Sequence, residues 1–242
     1  MTTEEFSNEF DVLLNSYSIP TEYGKANNIV SLDLNEYDKS VFLTQAQEAI
    51  IIELYNGKNI FRDSFEKTEE MRRYLSSLIM TYTSSDKVTG ILGVSKNSVF
   101  FNLPDDLWFI TYESAVFDDP RLGCLNKEEA VIVPVSQDDY FRVSNNPFRG
   151  PGKKRALRLD IKDNVVEIVS EYNISKYLVR YLSRLSPIIL AELPDGLSIG
   201  GISTITECKL SSALHRIILE RAVKYALMSR LPGAGTQKEQ NV

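Results

Sequence analysis

The chain has 242 residues, a net charge of −6 and an isoelectric point near 5.1. Its 43% hydrophobic and 25% charged residues are the proportions of a packed globular protein, which excludes a long disordered chain. The negative balance argues against a protein that coats nucleic acid, and no apolar run reaches the roughly 18 residues that would indicate a membrane span. Residues 1–10 are acidic and polar, unlike a secretory signal.

The first third of the sequence predicts helices. Apolar residues recur at helical spacing over residues 3–17, 35–55 and 65–82. The apolar stripe of the third predicted helix consists of Met71, Leu75, Leu78, Ile79 and Tyr82. Gly57 is expected to end the second helix, because glycine readily adopts the left-handed conformation found at helix C-termini.

The middle of the chain changes to strand patterns rich in aromatic and β-branched residues. Strands are predicted over residues 98–102, 107–117, 130–135, 157–161, 165–169 and 173–182. The fourth and fifth form the clearest hairpin, with a short turn between them. Because Pro134 cannot donate to a ladder, we expect the third strand at an edge of the sheet.

The end of the chain predicts one more amphipathic helix, from Ser211 or Ser212 to about residue 229. Its apolar stripe consists of Leu214, Ile217, Ile218, Ala222 and Tyr225. That stripe needs an apolar partner, which the three earlier helices can supply. We therefore expect an α+β fold: a helical bundle of three N-terminal helices plus the C-terminal helix, with an inserted antiparallel β-sandwich-like domain.

The expected domain boundaries follow from this arrangement. Residues 1–86 form the helical region, and residues 87–190 form the β-rich inserted domain. Residues 191–242 supply the connecting loop, the C-terminal helix of the bundle and a polar tail.

Residues with catalytic potential are few and scattered. The single histidine, His215, lies beside the last apolar stripe, and we expect a subunit contact or a solvated position for it. Cys124 and Cys208 lack metal-ligand spacing, so neither a zinc site nor a disulfide framework is expected. The run GPGKK at residues 150–154 lacks the spacing of a phosphate-binding loop, and its proline removes an amide donor.

The acidic doublets are weak candidates for a metal site. They are Asp105-Asp106, Asp118-Asp119 and Asp138-Asp139. Paired carboxylates can hold magnesium, and Asp105 followed by Asp160 and Lys162 gives a loose nuclease-like pattern. Aspartate is also favoured in turns for backbone reasons alone. We favour the turn interpretation and expect no catalytic, cofactor-binding or metal-binding residue, no cofactor and no enzymatic activity.

A cluster of positive charge follows the predicted third strand of this acidic chain. We call it the basic segment, and its residues are Phe148, Arg149, Lys153, Lys154, Arg155 and Arg158. A solvated loop, contact with an acidic neighbour, and passing contact with DNA all fit this pattern. Phe148 favours a contact role, because an aromatic residue beside arginine is typical of interface anchors. The basic segment is our candidate for an intersubunit contact.

Several stretches resemble the ring proteins of crAss-like bacteriophages. They are NPFRG from Asn146, SPIIL from Ser186, TECKL from Thr206 and LHRIILERAVKYAL from Leu214, with a weaker likeness over residues 32–57. The resemblance implies a ring of the tail multi-ring barrel, of the portal-proximal head–tail adaptor type. It brings no active-site motif. Head–tail adaptors of short-tailed phages are similar in carrying a β-sandwich on a helical bundle.

The resemblance also implies partners and a location. The partners are further copies of the chain in a dodecameric ring, the portal protein, neighbouring tail-ring proteins and, in passing, genomic DNA in the channel, with no membrane. The location is the tail of the virion, after assembly in the host cytoplasm. Two alternatives stay open at this point: a metal-dependent nuclease using the aspartates, and a scaffolding adaptor outside the virion.

Overall fold

The computed structural model of the protein describes residues 1–17, 34–58, 65, 67–162, 164–194 and 196–230. The chain divides into two compact units, one formed by residues 1–77 together with the part from residue 185 onward, and the other by residues 78–184. The first unit is mainly helical, whereas the second contains a sheet, so the mixed α+β class is confirmed. Within the described ranges, no helix is both long and apolar enough to span a bilayer.

The described residues form five α-helices and eight strands. The helices are α1 (Thr3–Tyr17), α2 (Glu36–Asn56), α3 (Glu69–Tyr74), α4 (Tyr140–Ser144) and α5 (Ser212–Arg230). The strands are β1 (Ile79–Ser84), β2 (Lys87–Val88), β3 (Ser98–Asn102), β4 (Leu107–Phe117), β5 (Glu129–Pro134), β6 (Arg155–Lys162), β7 (Val165–Val169) and β8 (Ile174–Ser183).

Helix α2 begins and ends at the residues that its sequence predicts. The Asn35 side chain accepts a hydrogen bond from the backbone N of Asp38 at 2.8 Å and so caps the N-terminus. Gly57 ends the helix in the left-handed conformation, with φ of 70°. The sequence predicts a connecting loop over residues 21–34, and all of that stretch except Leu34 lies outside the described residues.

Lys39, itself buried, joins α2 to α1 through an ion-pair network with two partly exposed carboxylates. Its Nζ lies 2.8 Å from Asp11 on α1 and 3.0 Å from Glu36, and it also donates to the Ser7 hydroxyl at 3.1 Å. Burial alone lowers the pKa of Lys39, but the hydrogen bonds and charges of Asp11 and Glu36 outweigh burial and raise it. The lysine therefore stays charged while nearly enclosed.

Helix α5 packs against both α2 and α1. Its buried residues are Leu214, His215, Ile218, Leu219, Ala222, Val223 and Ala226. The predicted stripe is wrong at Ile217, which is 48% exposed. The buried face is rotated towards Leu219 and Val223, because α5 contacts two helices and not one. On the rim, Arg221 Nη1 pairs with Glu53 Oε1 of α2 at 2.8 Å.

The third predicted helix is wrong over most of its length. Residues 69–74 are α-helical, residues 76–78 form a single 3-10 turn, and β1 begins at Ile79. Strand β1 pairs with β8 along its whole length, from Ile79 opposite Leu182 to Ser84 opposite Tyr177. Non-local pairing therefore overrides a local pattern that also suits a helix. The first unit has three long helices, not the predicted four.

The long irregular segment before α5 is attached to α2 by hydrogen bonds. Ser40 Oγ accepts from the backbone N of Leu190 at 3.0 Å, and Gln47 Nε2 donates to the Ser186 carbonyl at 3.1 Å. Ile189 and Thr206 exchange two backbone hydrogen bonds of 3.1 Å. Two of the stretches that resemble ring proteins, SPIIL and TECKL, thus pair with each other against the helix.

All eight strands belong to one sheet, in the order β1-β8-β4-β5-β6-β7-β3-β2. Every neighbouring pair is antiparallel except β5 and β6, which are parallel, so the expected fully antiparallel arrangement is wrong at that pair. The predicted hairpin is confirmed as β6 and β7, with Leu157 opposite Val169.

The sheet curls around its own core. Phe101 of β3 stacks on Tyr177 of β8, with ring centroids 5.2 Å apart, although four strands separate β3 from β8 in the sheet order. Both rings are fully buried. The core therefore lies inside one curled sheet, and not between two sheets as in the expected sandwich-like domain.

The expected edge position of the Pro134 strand is wrong. β5 lies inside the sheet, between β4 and β6. Its pairing with β4 covers only Glu129 to Val131, whereas Pro134 is the last residue of the strand and lies opposite Arg158 of β6. Because Pro134 lies beyond the residues that pair with β4, the sheet needs no hydrogen bond from the amide hydrogen that proline lacks.

Candidate intersubunit surface

The basic segment lies in the connection from β5 to β6, where α4 and an irregular turn follow one another. Phe148 is 85% exposed. Arg149, Lys153 and Lys154 are also exposed, and Arg155 is half-buried at the start of β6. Five of the six predicted residues are therefore grouped on one connection at the surface of the second unit.

Local hydrogen bonds hold the turn that presents Phe148. Asn146 Oδ1 accepts from the backbone N of Phe148 at 2.9 Å and of Arg149 at 3.2 Å, and the Asn146 carbonyl accepts from Gly150 N at 2.7 Å. A Cβ on Gly150 would lie 2.7 Å from the last carbonyl oxygen of α4, so only glycine fits. Arg155 donates to the Phe148 carbonyl. Phe148 is thus exposed on a fixed turn.

Arg158 differs from the rest of the basic segment, because its side chain is buried. Its Nη1 lies 3.1 Å from Glu113 Oε2, and Tyr177 donates its hydroxyl hydrogen to Glu113 Oε1. Burial raises the pKa of Glu113 despite the opposing charge of Arg158, and burial together with Glu113 raises that of Tyr177. Arg158 therefore belongs to a polar network in the core and is not available to a neighbouring subunit.

An open hollow of about 420 Å³ adjoins the basic segment. Its apolar lining consists of Val133, Pro134, Val135 and Val143. Arg149, Arg155, Asp139 and Ser136 complete the lining. We call this feature the aliphatic hollow. Four of its eight lining residues are therefore aliphatic, and two of the other four are arginines of the basic segment.

The aliphatic hollow was not predicted from the sequence, although one signal was present. Strand β5 is apolar on both faces: Ala130 and Ile132 are buried in the core, while Val133 packs against a second small cluster with Val143. Apolar residues on both faces of a strand indicate that a second element packs on the face away from the core, and here that element is α4. The small cluster is only partly covered, which leaves the hollow.

The acidic turn at Asp118 and Asp119 contains one free and one engaged carboxylate. Asp119 pairs with Arg121 at 2.6 Å and accepts from the backbone N of Asn173 at 3.3 Å, which holds its pKa well below the usual range. Asp118 is exposed. Asp118 is thus the member of this doublet that can meet a positive surface.

The nuclease-like residues do not form a metal site in the part of the chain that the structure describes. Asn164 Nδ2 donates to Asp105 Oδ1 at 2.8 Å, which places Asp105 beside the turn between β6 and β7. Asp160 is exposed and its carboxylate lies 3.5 Å from Arg158 Nε. Among the described residues, no group of three or more His, Cys, Asp or Glu side chains could hold a metal ion.

The expected surface position of His215 is wrong. Its ring is buried beside Phe6, with centroids 5.3 Å apart. Nδ1 lies 2.9 Å from the amino group of Met1 and Nε2 lies 3.0 Å from the Leu210 carbonyl oxygen. With Nδ1 accepting from the amine, Nε2 carries the hydrogen and donates to Leu210. Burial lowers the pKa of His215, so this histidine is a neutral core residue.

Comparison with known proteins agrees with a structural role. The phage tail ring protein 3/4 family matches residues 1–238. "Ring protein 3" of Bacteroides phage crAss001 is 54% identical over 239 residues, covering 98% of this chain and 100% of the relative. "Ring protein 4/5" of the same phage is 33% identical over 240 residues, covering 93% of this chain and 92% of the relative. The chain therefore belongs to the phage tail ring protein 3/4 family of crAss-like phages.

Proposed function

We propose that the chain assembles into a closed dodecameric ring in the tail barrel below the portal, and that this ring connects head and tail around the DNA channel. Its partners are further copies of itself, the portal protein and neighbouring tail rings, assembled in the host cytoplasm. A net charge of −6 suits a conduit, because a negative wall does not hold the moving duplex.

Phe148 carries the proposal that the basic segment is an intersubunit contact. An aromatic side chain that is 85% exposed on a hydrogen-bonded turn suits an interface anchor. Because the turn is already ordered, little conformational entropy is lost on docking. Arg149 lies next to it and can form charge-assisted bonds with a carboxylate.

The acidic turn with Asp118 suits the basic segment as its partner on the next subunit. A closed ring needs two different patches on each subunit that complement each other head to tail. The two regions lie on different connections: the basic segment joins β5 to β6, whereas Asp118 directly follows β4. Opposite charges on two patches of one chain provide the complementarity that orients neighbouring copies.

Charge reversal tests the contact. We expect the triple variant Arg149→Glu, Lys153→Glu, Lys154→Glu to stay folded, because these side chains are exposed, but to assemble into rings at least about tenfold less at a given concentration. Assembly is measured by sedimentation velocity at low and moderate salt, and folding by circular dichroism.

A second triple variant, Lys58→Glu, Lys209→Glu, Lys224→Glu, is the matched control. It changes the net charge by the same amount at exposed positions of the first unit. We expect it to assemble nearly as well as the parent. Equal assembly of the parent and the basic-segment variant at both salt concentrations would show that the basic segment is only solvated.

A further inference from the structure

The loop between β2 and β3 exposes apolar side chains to an unusual degree. Residues 89–97 form no helix or strand. Leu92 is 97% exposed and Val94 is 58% exposed. The stretch from Thr89 to Val94 is uncharged in a chain in which 25% of residues are charged. We call this feature the Leu92 loop.

A buried carboxylate fixes the Leu92 loop to the sheet. Glu167 on β7 is only 2% exposed. It accepts hydrogen bonds from the backbone N of Val94 at 2.7 Å and from the Ser98 hydroxyl. A Cβ on Gly93 would lie 2.6 Å from Glu167 Oε1, so the backbone approaches the carboxylate as closely as glycine allows. Leu92 is thus presented at a fixed place.

The aliphatic hollow matches the Leu92 loop in chemistry and size. Its lining of Val133, Pro134, Val135 and Val143 offers aliphatic contact, and its volume of about 420 Å³ exceeds that of a single leucine side chain. The loop is uncharged at its tip, so insertion brings no charge of the loop itself into the hollow. Arg149 and Arg155 also line the hollow, next to these aliphatic residues.

The positions of the two features fit a head-to-tail contact. The aliphatic hollow lies at β5, and the Leu92 loop lies between β2 and β3. In the sheet order, β6 and β7 separate β5 from β3. They are therefore two distinct patches of one subunit. A knob on one patch and a hollow on another make a heterologous contact, the kind that a ring of identical chains requires.

We propose that the Leu92 loop of one subunit inserts into the aliphatic hollow of the next, with Leu92 and Val94 against Val133, Val135 and Val143. This inference rests on the proposed ring and identifies a second patch on each side of the contact. The aliphatic hollow is continuous with the basic segment, since Arg149 and Arg155 belong to both. The occupant is a second copy of this chain.

Disulfide cross-linking tests the insertion directly. The background is the full chain with Cys124→Ser and Cys208→Ser, which removes both free thiols. Leu92→Cys and Ser136→Cys are placed in the same chain, since Ser136 lines the hollow and is exposed. After mild oxidation, we expect non-reducing gels to show a ladder of covalent oligomers. An equal mixture of the two single variants should give heterodimers and nothing longer.

The assembly state of the same samples separates the two proposals. If sedimentation shows rings but the gels show no ladder, the Leu92 insertion is wrong and the ring proposal still stands. A parent that stays monomeric would overturn the ring and the insertion together. As a second measure, we expect Leu92→Asp to raise the concentration for half-assembly about tenfold or more, while Leu92→Met keeps it near the parent's value. Assembly of Leu92→Asp at the parent's concentration would contradict the insertion.

Discussion

The structure differs most from the predictions made on the sequence at individual buried polar residues. Arg158 was assigned to the surface with its basic neighbours, and His215 to a solvated or subunit-contact position. Charged and polar residues are mostly exposed, so that assignment follows the general rule. Both are buried next to partners distant in sequence: Glu113 forms an ion pair with Arg158, and the Met1 amine lies against His215. No local pattern reveals such pairs.

The protonation of His215 gives a prediction about pH. Its pKa is lowered in the folded state by burial, from an ordinary value near 6.5. The stabilising neutral form is fully present above the unfolded pKa, and its contribution is lost as pH falls from there through the folded pKa. We expect the free energy of unfolding of the parent to fall between about pH 7 and pH 5.

The matched variant is His215→Gln, measured by urea denaturation at the same series of pH values. It cannot take up a proton, so this component of the pH dependence should disappear. A parent and a variant with the same slope over that range would show that His215 does not titrate on unfolding. The physical reason for the expected slope is local: protonated Nδ1 could no longer accept from the amino group 2.9 Å away.

At the scale of elements, strong periodicity was a reliable guide and ambiguous stretches were not. The bounds of α1, α2 and α5 agree with their apolar spacing to within a residue or two. The helix predicted over residues 65–82 is wrong from Leu75 onward, because LSSLIMTYTS at residues 75–84 suits a helix by its spacing and a strand by its β-branched residues. Only pairing with β8, almost a hundred residues later, decides for the strand.

The candidate surface was predictable in part. Phe148 is exposed on a turn, as a contact role requires, whereas the intersubunit contact itself stays a prediction. The aliphatic hollow and the Leu92 loop could not be derived in the same way. The first depends on how α4 covers β5, and the second on Glu167, a residue more than seventy positions away from the loop it holds.

Two adjacent isoleucines on α5 test its packing with one matched pair of substitutions. Ile218 is fully buried and Ile217 is 48% exposed. We expect Ile218→Ala to lower the free energy of unfolding by about 2–5 kcal/mol, and Ile217→Ala to change it by less than about 0.5 kcal/mol. Urea denaturation followed by circular dichroism gives both values. Equal losses would mean that α5 is oriented differently from the structure.

At the scale of the whole molecule, the proposed ring requires two complementary patches on each subunit. The basic segment and the aliphatic hollow adjoin each other at the connection from β5 to β6. The Leu92 loop and the exposed Asp118 offer an apolar knob and a negative charge on other connections of the same unit. Such a division makes self-association directional, and directional contacts close into a ring when the rotation between subunits allows it.

Native mass spectrometry of the purified full chain tests the ring most directly, because it counts subunits. Each chain has a mass of 27.4 kDa. We expect that, as concentration rises, monomers give way to one dominant species with the mass of a dodecamer and few intermediates, since closure stabilises the complete ring. Monomers at every concentration, or a continuous series of oligomers with no preferred number, would contradict it.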